Sequence, residues 1–428
     1  MRRRDLIVGG AALAGWGLTS ARAAPVLSAS NYGMTARQAA RRNGWIEVDA
    51  AAFEGNIAAV RGIVGAARIC AVMKADAYGN GVALLIPSII KLGIRDVAIT
   101  SNDEARVARA LGYRGRLLRV RTATPDEMED ALPFALEELI GNAELAARLA
   151  KMAQARGRPV RVHLALNSGG MSRNGVELST PYGQADARAM LALKALRIVG
   201  VMTHYPTEDA ADILGQLGRF EADTAWLAHE GLDFAGVTRH TASTFAALSF
   251  PATRLDMVRV GDAIYGELAS FRNSSFNTDS FALVPAIKAR VAAVNHYPAG
   301  QTVNYSRTFR LARESWLANI PIGYSDGFRR GFSHANRPEF AAETTNDSAV
   351  LIGGQRFPIV GRITMNTLMA DVTGWQDKVG VGDEVVMLGT QGTQRIVQAE
   401  FEANSGGHLG EMFTMLGATM PRVLKPRR

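Results

Sequence analysis

Short apolar, β-branched runs alternate with Ala/Leu-rich stretches of helical period from about residue 45 to residue 285. The alternation predicts strands at 68–73, 96–100, 116–120, 137–140, 160–166, 198–203, 236–241 and 257–260. Eight strands with intervening helices predict an α/β fold, a (β/α)8 TIM barrel over residues 43–285, in which chemistry collects at the carboxyl ends of the strands. Past about residue 284 the helical period stops. Alternating runs at 286–294, 316–322, 349–352, 367–372 and 384–388, separated by Gly-Asp and Pro turns, predict a smaller C-terminal all-β domain over 286–428.

The first 23 residues follow neither pattern. Arg2-Arg3-Arg4 precedes an apolar run from Leu6 to Leu18, and Ala21-Arg22-Ala23 supplies a small-x-small cleavage site. This predicts a signal peptide over 1–23, a periplasmic mature protein and an N-terminal arm over 24–42. The alternative is a membrane span, but the run is shorter than the roughly 20 apolar residues that cross a bilayer. It is also interrupted by Gly9, Gly10, Gly15 and Gly17.

Residues 1–23 hold four Arg and one Asp, so without them the formal charge falls from +8 to +5. The remaining cations are dispersed apart from Lys425-Pro426-Arg427-Arg428, with no aromatic-interleaved basic stripe, which argues against a nucleic-acid partner. Cys70 is the single cysteine, which excludes an intrachain disulfide. The seven histidines show neither HxxxH spacing nor clustering with cysteine, so no metal site is expected.

Chemistry concentrates first at Ala71-Val72-Met73-Lys74-Ala75-Asp76-Ala77-Tyr78-Gly79, where an apolar strand ends on a lysine followed by a small-residue turn. Alternation places Cys70, Val72 and Lys74 on one face, so the amine is enclosed. Desolvation lowers an amine's pKa and makes it nucleophilic, as condensation with an aldehyde cofactor such as pyridoxal phosphate requires. A strand-end lysine that snorkels to solvent is the competing reading.

Later segments decide between the two. Val72 to Gly81, Asn167-Ser168-Gly169-Gly170-Met171-Ser172-Arg173, Met202-Thr203-His204-Tyr205, Met257-Val258-Arg259-Val260-Gly261, Ile322 to Gly327 and Gly361-Arg362-Ile363-Thr364-Met365 occur in order. Together, from about Trp45 to Arg422, they resemble the alanine racemase family, with Asn80 in place of the usual histidine. The resemblance implies pyridoxal 5'-phosphate bound through Lys74, which also acts as base on one face of the substrate α-carbon. Tyr305, in Val303-Asn304-Tyr305-Ser306, would be the base on the opposite face, reaching in from the partner subunit of a homodimer. A phenol, ordinarily of pKa about 10, needs neighbouring cations for that task, and His204 and Arg259 are the candidates implied.

The same resemblance sets Arg259 against the ring nitrogen, where an arginine donates a hydrogen bond without giving up its proton. The residues alone leave a second reading, an ion pair with Asp256 or Asp262. The phosphate would be held by Tyr78, Ser243, Thr244 and the backbone of Gly261 and Asp262, with the Asp262 carboxylate pointing away. Ser243-Thr244 also reads as a plain helix start. Arg173 would bind the cofactor's phenolic oxygen and the substrate carboxylate, helped by the backbone N–H of Met365 from the partner subunit. Tyr324 would line the cavity mouth from the same side.

One departure bears on substrate. The lysine and aspartate that stand eight and six positions before this arginine in alanine racemases are Ala165 and Asn167 here. Arg173 is then expected to pair with Asn167, Asn174 or a bound chloride. These changes, Asn174, Pro206 and the export signal make the chain similar to the broad-spectrum periplasmic racemases. A roomier polar pocket would accept lysine and arginine as well as alanine. Arg119 and Arg121, at the end of the third strand, either face that pocket or lie in an exposed loop. The alternatives are an alanine-specific racemase, a fold-type-III decarboxylase or a non-catalytic cofactor-binding barrel. The decarboxylase would place an acid at the ring nitrogen, and the binding barrel would lack the domain that carries Tyr305 and Met365.

Overall fold

The computed structural model describes residue 38 and residues 41–336 and 348–426. The expected signal peptide and most of the expected arm lie outside the described residues.

After strand β1 (Gly44–Val48), eight parallel strands form the barrel: β2 (Arg68–Val72), β3 (Asp96–Ile99), β4 (Arg116–Arg119), β5 (Leu136–Ile140), β6 (Val160–Ala165), β7 (Leu196–Met202), β8 (Thr238–His240) and β9 (Met257–Val260). Their order is β8-β7-β6-β5-β4-β3-β2-β9. The remaining seam, between β8 and β9, is drawn together by Asp256 N–H donating to Arg239 O and Arg259 N–H to Ala242 O, at 3.2 and 3.0 Å. The helices bury one stripe each. Helix Ala50–Val64 starts at Asp49, whose carboxylate accepts from Ala51 and Ala52 N–H, and it buries Phe53, Ile57, Val60 and Val64 at helical spacing. Each of the eight expected strands forms within two residues of its expected ends.

The second domain is a sheet of order β11-β14-β17-β16-β15-β18-β10-β1-β20, with β19 paired to β18. Its strands are β10 (Pro285–Arg290), β11 (Ala293–Tyr297), β14 (Ser315–Ile320), β15 (Ala349–Ile352), β16 (Gln355–Val360), β17 (Leu368–Asp371), β18 (Glu384–Gln391), β19 (Gln394–Ile396) and β20 (Arg422–Leu424). A hairpin of β12 (Thr302–Val303) and β13 (Phe309–Arg310) stands apart from it.

One boundary changes, and the second domain gains two helices. Residues 44–48 belong to the second sheet and not to the barrel, antiparallel to β10 and parallel to β20. The sheet that this segment joins rests on pairing more than 200 residues away, such as Ile46 with Ile287, which neighbours in sequence do not encode. The C-terminal domain is the expected β-sheet domain, to which helices Gln398–Ser405 and Leu409–Thr419 are added. The second buries Leu409, Met412, Phe413 and Leu416, a helical stripe interrupted in sequence by Gly410 and Gly417. One apolar core runs through both domains and includes Ile57, Ile264, Ile287 and Phe413.

Candidate active site

Lys74 follows β2 and opens a turn of unusual hand. Ala75, Asp76, Ala77 and Tyr78 all have positive φ, between 52° and 56°. For L-residues this region costs roughly 1–2 kcal/mol each, and the short side chains of Ala75 and Ala77 crowd it least. Hydrogen bonds offset the cost. Asp76 N–H donates to Glu104 Oε1 at 2.8 Å, and Asp76 Oδ1 accepts from Val82 N–H at 2.8 Å. From the other domain Arg422 donates to Gly79 O at 2.7 Å and pairs with Asp76.

A cavity of about 380 Å³ opens above the turn, lined by Lys74, Tyr78, Asn167, Arg173, Asn174, His204, Ser243, Thr244, Arg259, Gly261 and Asp262. Strand ends separated by up to 188 positions thus meet at one barrel mouth. Burial, with Arg173 and Arg259 adding to it, lowers the Lys74 pKa against the opposing pull of Asp262 and Glu104. The amine lies 5.8 Å from the Tyr78 ring centroid.

Arg259 is buried and makes no ion pair with Asp256 or Asp262 among the described residues. Its Nη1 donates to His240 O, and its Nη2 to Thr203 O, Thr241 O and His204 Nδ1, at 2.8 to 3.2 Å. Burial pushes its pKa down to about 10, which leaves it charged near neutrality. Because an arginine only donates, His204 Nδ1 is the acceptor and the imidazole proton sits on Nε2. Burial first, then Arg259, Arg173 and Lys74, push the His204 pKa down to about 3. His204 is therefore a neutral donor and not the expected cation.

Ser243 starts the helix Thr244–Ser249, but its hydroxyl makes no capping bond, and the residue lines the cavity. The anion end departs from expectation at two donors. Gly261 N–H donates to Thr244 Oγ1 at 3.2 Å, and the Asp262 carboxylate accepts from the Tyr78 hydroxyl instead of turning away. Gly261 is required here, because a Cβ would stand 2.3 Å from the Tyr78 hydroxyl oxygen.

Neither expected asparagine braces Arg173. Asn167 Oδ1 accepts from Ser172 N–H and its Nδ2 donates to Glu177, both at 2.7 Å, while Asn174 Oδ1 accepts from Thr122 at 3.0 Å. Arg119 and Arg121 do not line the cavity. Arg119 is buried and donates to Glu138, Glu127, Asn102 and Thr100 O, so every guanidinium nitrogen is engaged in the barrel wall. Arg121 is tied to Glu127 at 2.5 Å. Their sequence positions could not reveal those carboxylates.

Tyr305, Tyr324 and Met365 also lie away from this cavity, exposed by 63%, 37% and 54%. They share one face. Tyr324 N–H donates to Thr364 O and Ser325 N–H to Met365 O, and Asn304 beside Tyr305 donates to Arg362 O at 2.8 Å.

Sequence reasoning missed Glu104 and Arg422, which hold the Lys74 turn from afar, and His240, which touches Arg259. Inward alternation on β8 was the available signal for His240, and the helix-start pattern from Ser101 to Glu104 the one for Glu104. The cavity fits pyridoxal phosphate at most points, with an amine at its floor, an acid-free guanidinium and, at the anion end, a Ser243 hydroxyl that makes no capping bond. Asp262 is the discordant group.

Among known proteins, the family description "Alanine racemase, N-terminal domain" matches residues 48–269 and "Alanine racemase, C-terminal domain" residues 284–424. The chain is 46% identical over 408 residues to a broad specificity amino-acid racemase of Aeromonas hydrophila, covering 94% of this chain and 95% of that protein. It is 40% identical to a lysine racemase of Proteus mirabilis, covering 92% and 94%. The fold superimposes on the solved alanine racemase of Streptomyces coelicolor with a TM-score of 0.79 at 27% identity, covering 90% of this chain and 98% of that one. Matched across both domains and at such identity to its relatives, the chain belongs to the alanine racemase family.

Proposed function

We propose that the protein is a pyridoxal-phosphate-dependent racemase of broad substrate range that works as a periplasmic homodimer with shared active sites. The observation that carries this reading is the desolvated Lys74 amine at the barrel mouth, with Arg259 and Arg173 lining the same cavity and this chain's own Tyr305 outside it. Bound pyridoxal phosphate supplies an aldehyde and an electron-accepting ring that make an amino acid's α-proton acidic. Lys74 takes or returns that proton on one face of the α-carbon. Tyr305 of the partner subunit does so on the other, steadied by the Nε2–H of neutral His204 and by Arg259. The exposed face that holds Tyr305, Tyr324 and Met365 suits a second copy, which would complete each site.

Arg173 receives the substrate carboxylate. With Asn167 and Asn174 engaged elsewhere, an anion such as chloride braces its guanidinium. Ala165 and Asn167, smaller than the family's lysine and aspartate or without charge, leave room for lysine and arginine side chains. The arginine-rich start, the apolar run and Ala21-Arg22-Ala23 direct the chain to the periplasm.

Borohydride reduction of the holoprotein followed by peptide mapping tests the central assignment, with a pyridoxyl group expected on Lys74 and an unmodified Lys74 counting against it. Chiral analysis after separate incubations with L-lysine, L-arginine and L-alanine tests breadth, and turnover of alanine alone defeats it. Activity indifferent to chloride removes the proposed brace, and a cytoplasmic fraction holding the mature chain removes export.

A further inference from the structure

Beneath the cavity a line of polar side chains crosses the barrel interior, and the chemistry above uses only its first member. Arg259 Nη1 lies 2.9 Å from His240 Nδ1, His240 Nε2 lies 2.8 Å from His163 Nδ1, and His163 Nε2 lies 2.8 Å from Glu137 Oε2. All four residues are buried.

The order of donors follows from one end. A guanidinium can only donate, so His240 Nδ1 accepts and its proton sits on Nε2. That proton points at His163 Nδ1, which must accept, so the His163 proton also sits on Nε2 and is given to Glu137. Every bond runs the same way, from Arg259 to a carboxylate. Burial disfavours the Glu137 anion, but His163, Arg161 and Arg116 outweigh it and hold the carboxyl below its usual range. Arg161 pairs with the other Glu137 oxygen at 2.6 Å.

The strands are shaped for this line. His163 on β6 reaches His240 on β8 past β7, and at the crossing β7 carries Gly200. A Cβ there would stand 2.1 Å from His163 Nδ1. Arg259 itself has no carboxylate within ion-pair distance among the described residues, although an unpaired buried charge is costly.

We propose that Glu137 and His163 are positioning residues for Arg259, setting the guanidinium against the cofactor ring through a one-way hydrogen-bond relay that ends on the Glu137 carboxylate. The proposal rests on the cofactor reading above. With Nη1 and Nη2 occupied by protein acceptors, the relay leaves Nε as the Arg259 donor without an acceptor among the described residues. With the relay weakened the guanidinium would tilt from the position in which it would face a bound pyridoxal phosphate, and the site would hold less tightly which carbon of the substrate takes up the proton.

Two measurements test it. Nitrogen-15 NMR of the holoprotein's imidazoles should find His163 and His240 both protonated on Nε2, and a proton on Nδ1 of either overturns the relay. Glu137→Gln should keep its cofactor and its melting profile near wild type. It should also raise the fraction of turnovers lost to half-transamination by about tenfold, the scale of one weakened charge-assisted hydrogen bond, and shift the bound cofactor's absorption band. A folded Glu137→Gln with wild-type partition and spectrum overturns the proposal. If that variant does not fold, the tautomers decide. A failed borohydride label with both tautomers as expected would sink the cofactor reading and leave the relay standing.

Discussion

Arg422 Nη2 stands 3.1 Å from Asp76 Oδ2, so the last strand of the second domain grips the turn that presents Lys74. The same guanidinium donates to Gly79 O at 2.7 Å and also to Gly417 O. Four consecutive left-handed residues persist only where neighbours over-determine them. Arg422→Met should therefore cost about 3 kcal/mol of unfolding free energy by leaving Asp76 without this partner. It should also weaken pyridoxal phosphate binding about tenfold by loosening the turn. Denaturant unfolding and cofactor titration of the apoprotein check both, and unchanged cofactor affinity would show the turn to be self-supporting.

Asp262 should make cofactor binding depend on pH. Burial raises its pKa against the pull of Lys74, His408 and Tyr78, and its carboxylate sits at the anion end of the cavity. Below the folded pKa it is neutral and accommodates a phosphate, and above it two anions meet. Affinity for pyridoxine 5'-phosphate, which lacks the aldehyde, should fall with rising pH, and Asp262→Asn should remove about tenfold of that fall, or about 1.4 kcal/mol. Parallel pH profiles for variant and wild type would exclude this role.

Glu267 links stability to pH. Both its carboxyl oxygens are buried without a hydrogen-bond partner among the described residues, and burial, then Asp262 and Glu402, raise its pKa from 4.5 to about 8. Between those values the folded chain holds a proton that the unfolded chain has released. The stabilisation is therefore complete below 4.5 and is lost as pH climbs to about 8, a slope of about 1.4 kcal/mol per pH unit. Glu267→Gln should flatten this slope in equilibrium unfolding measured at several pH values. A slope that survives the substitution assigns the proton to another group.

Arg119 should matter to folding and not to substrate choice. It is enclosed by Glu138 at 2.7 Å and Glu127 at 2.9 Å. Arg119→Met strands the Glu138 carboxylate in the wall and should cost about 3 kcal/mol near neutrality. The cost should shrink in acid, because burial already raises the Glu138 pKa and the carboxyl takes up a proton there. The ratio of lysine to alanine turnover should stay at its wild-type value, and a changed ratio would return Arg119 to the pocket.

Period and punctuation along the chain sufficed for the eight barrel strands, the change to a second domain and the lysine at a strand end, because each is encoded in neighbours a few positions apart. The family resemblance carried the identities of Lys74, Arg173, His204 and Arg259 in the same way, through local motifs. What escaped was set by contacts between distant positions. The membership of Gly44–Val48 in the second sheet depends on β10 and β20, and the fate of Arg119 depends on Glu138 lying one strand away. The charge on His204 depends on burial and on Arg259, and the pose of Asp262 on Tyr78. A linear chain determines which groups are available and in what local shape. Only closure of the barrel determines which are desolvated together, and desolvation with its neighbours fixes where protons reside.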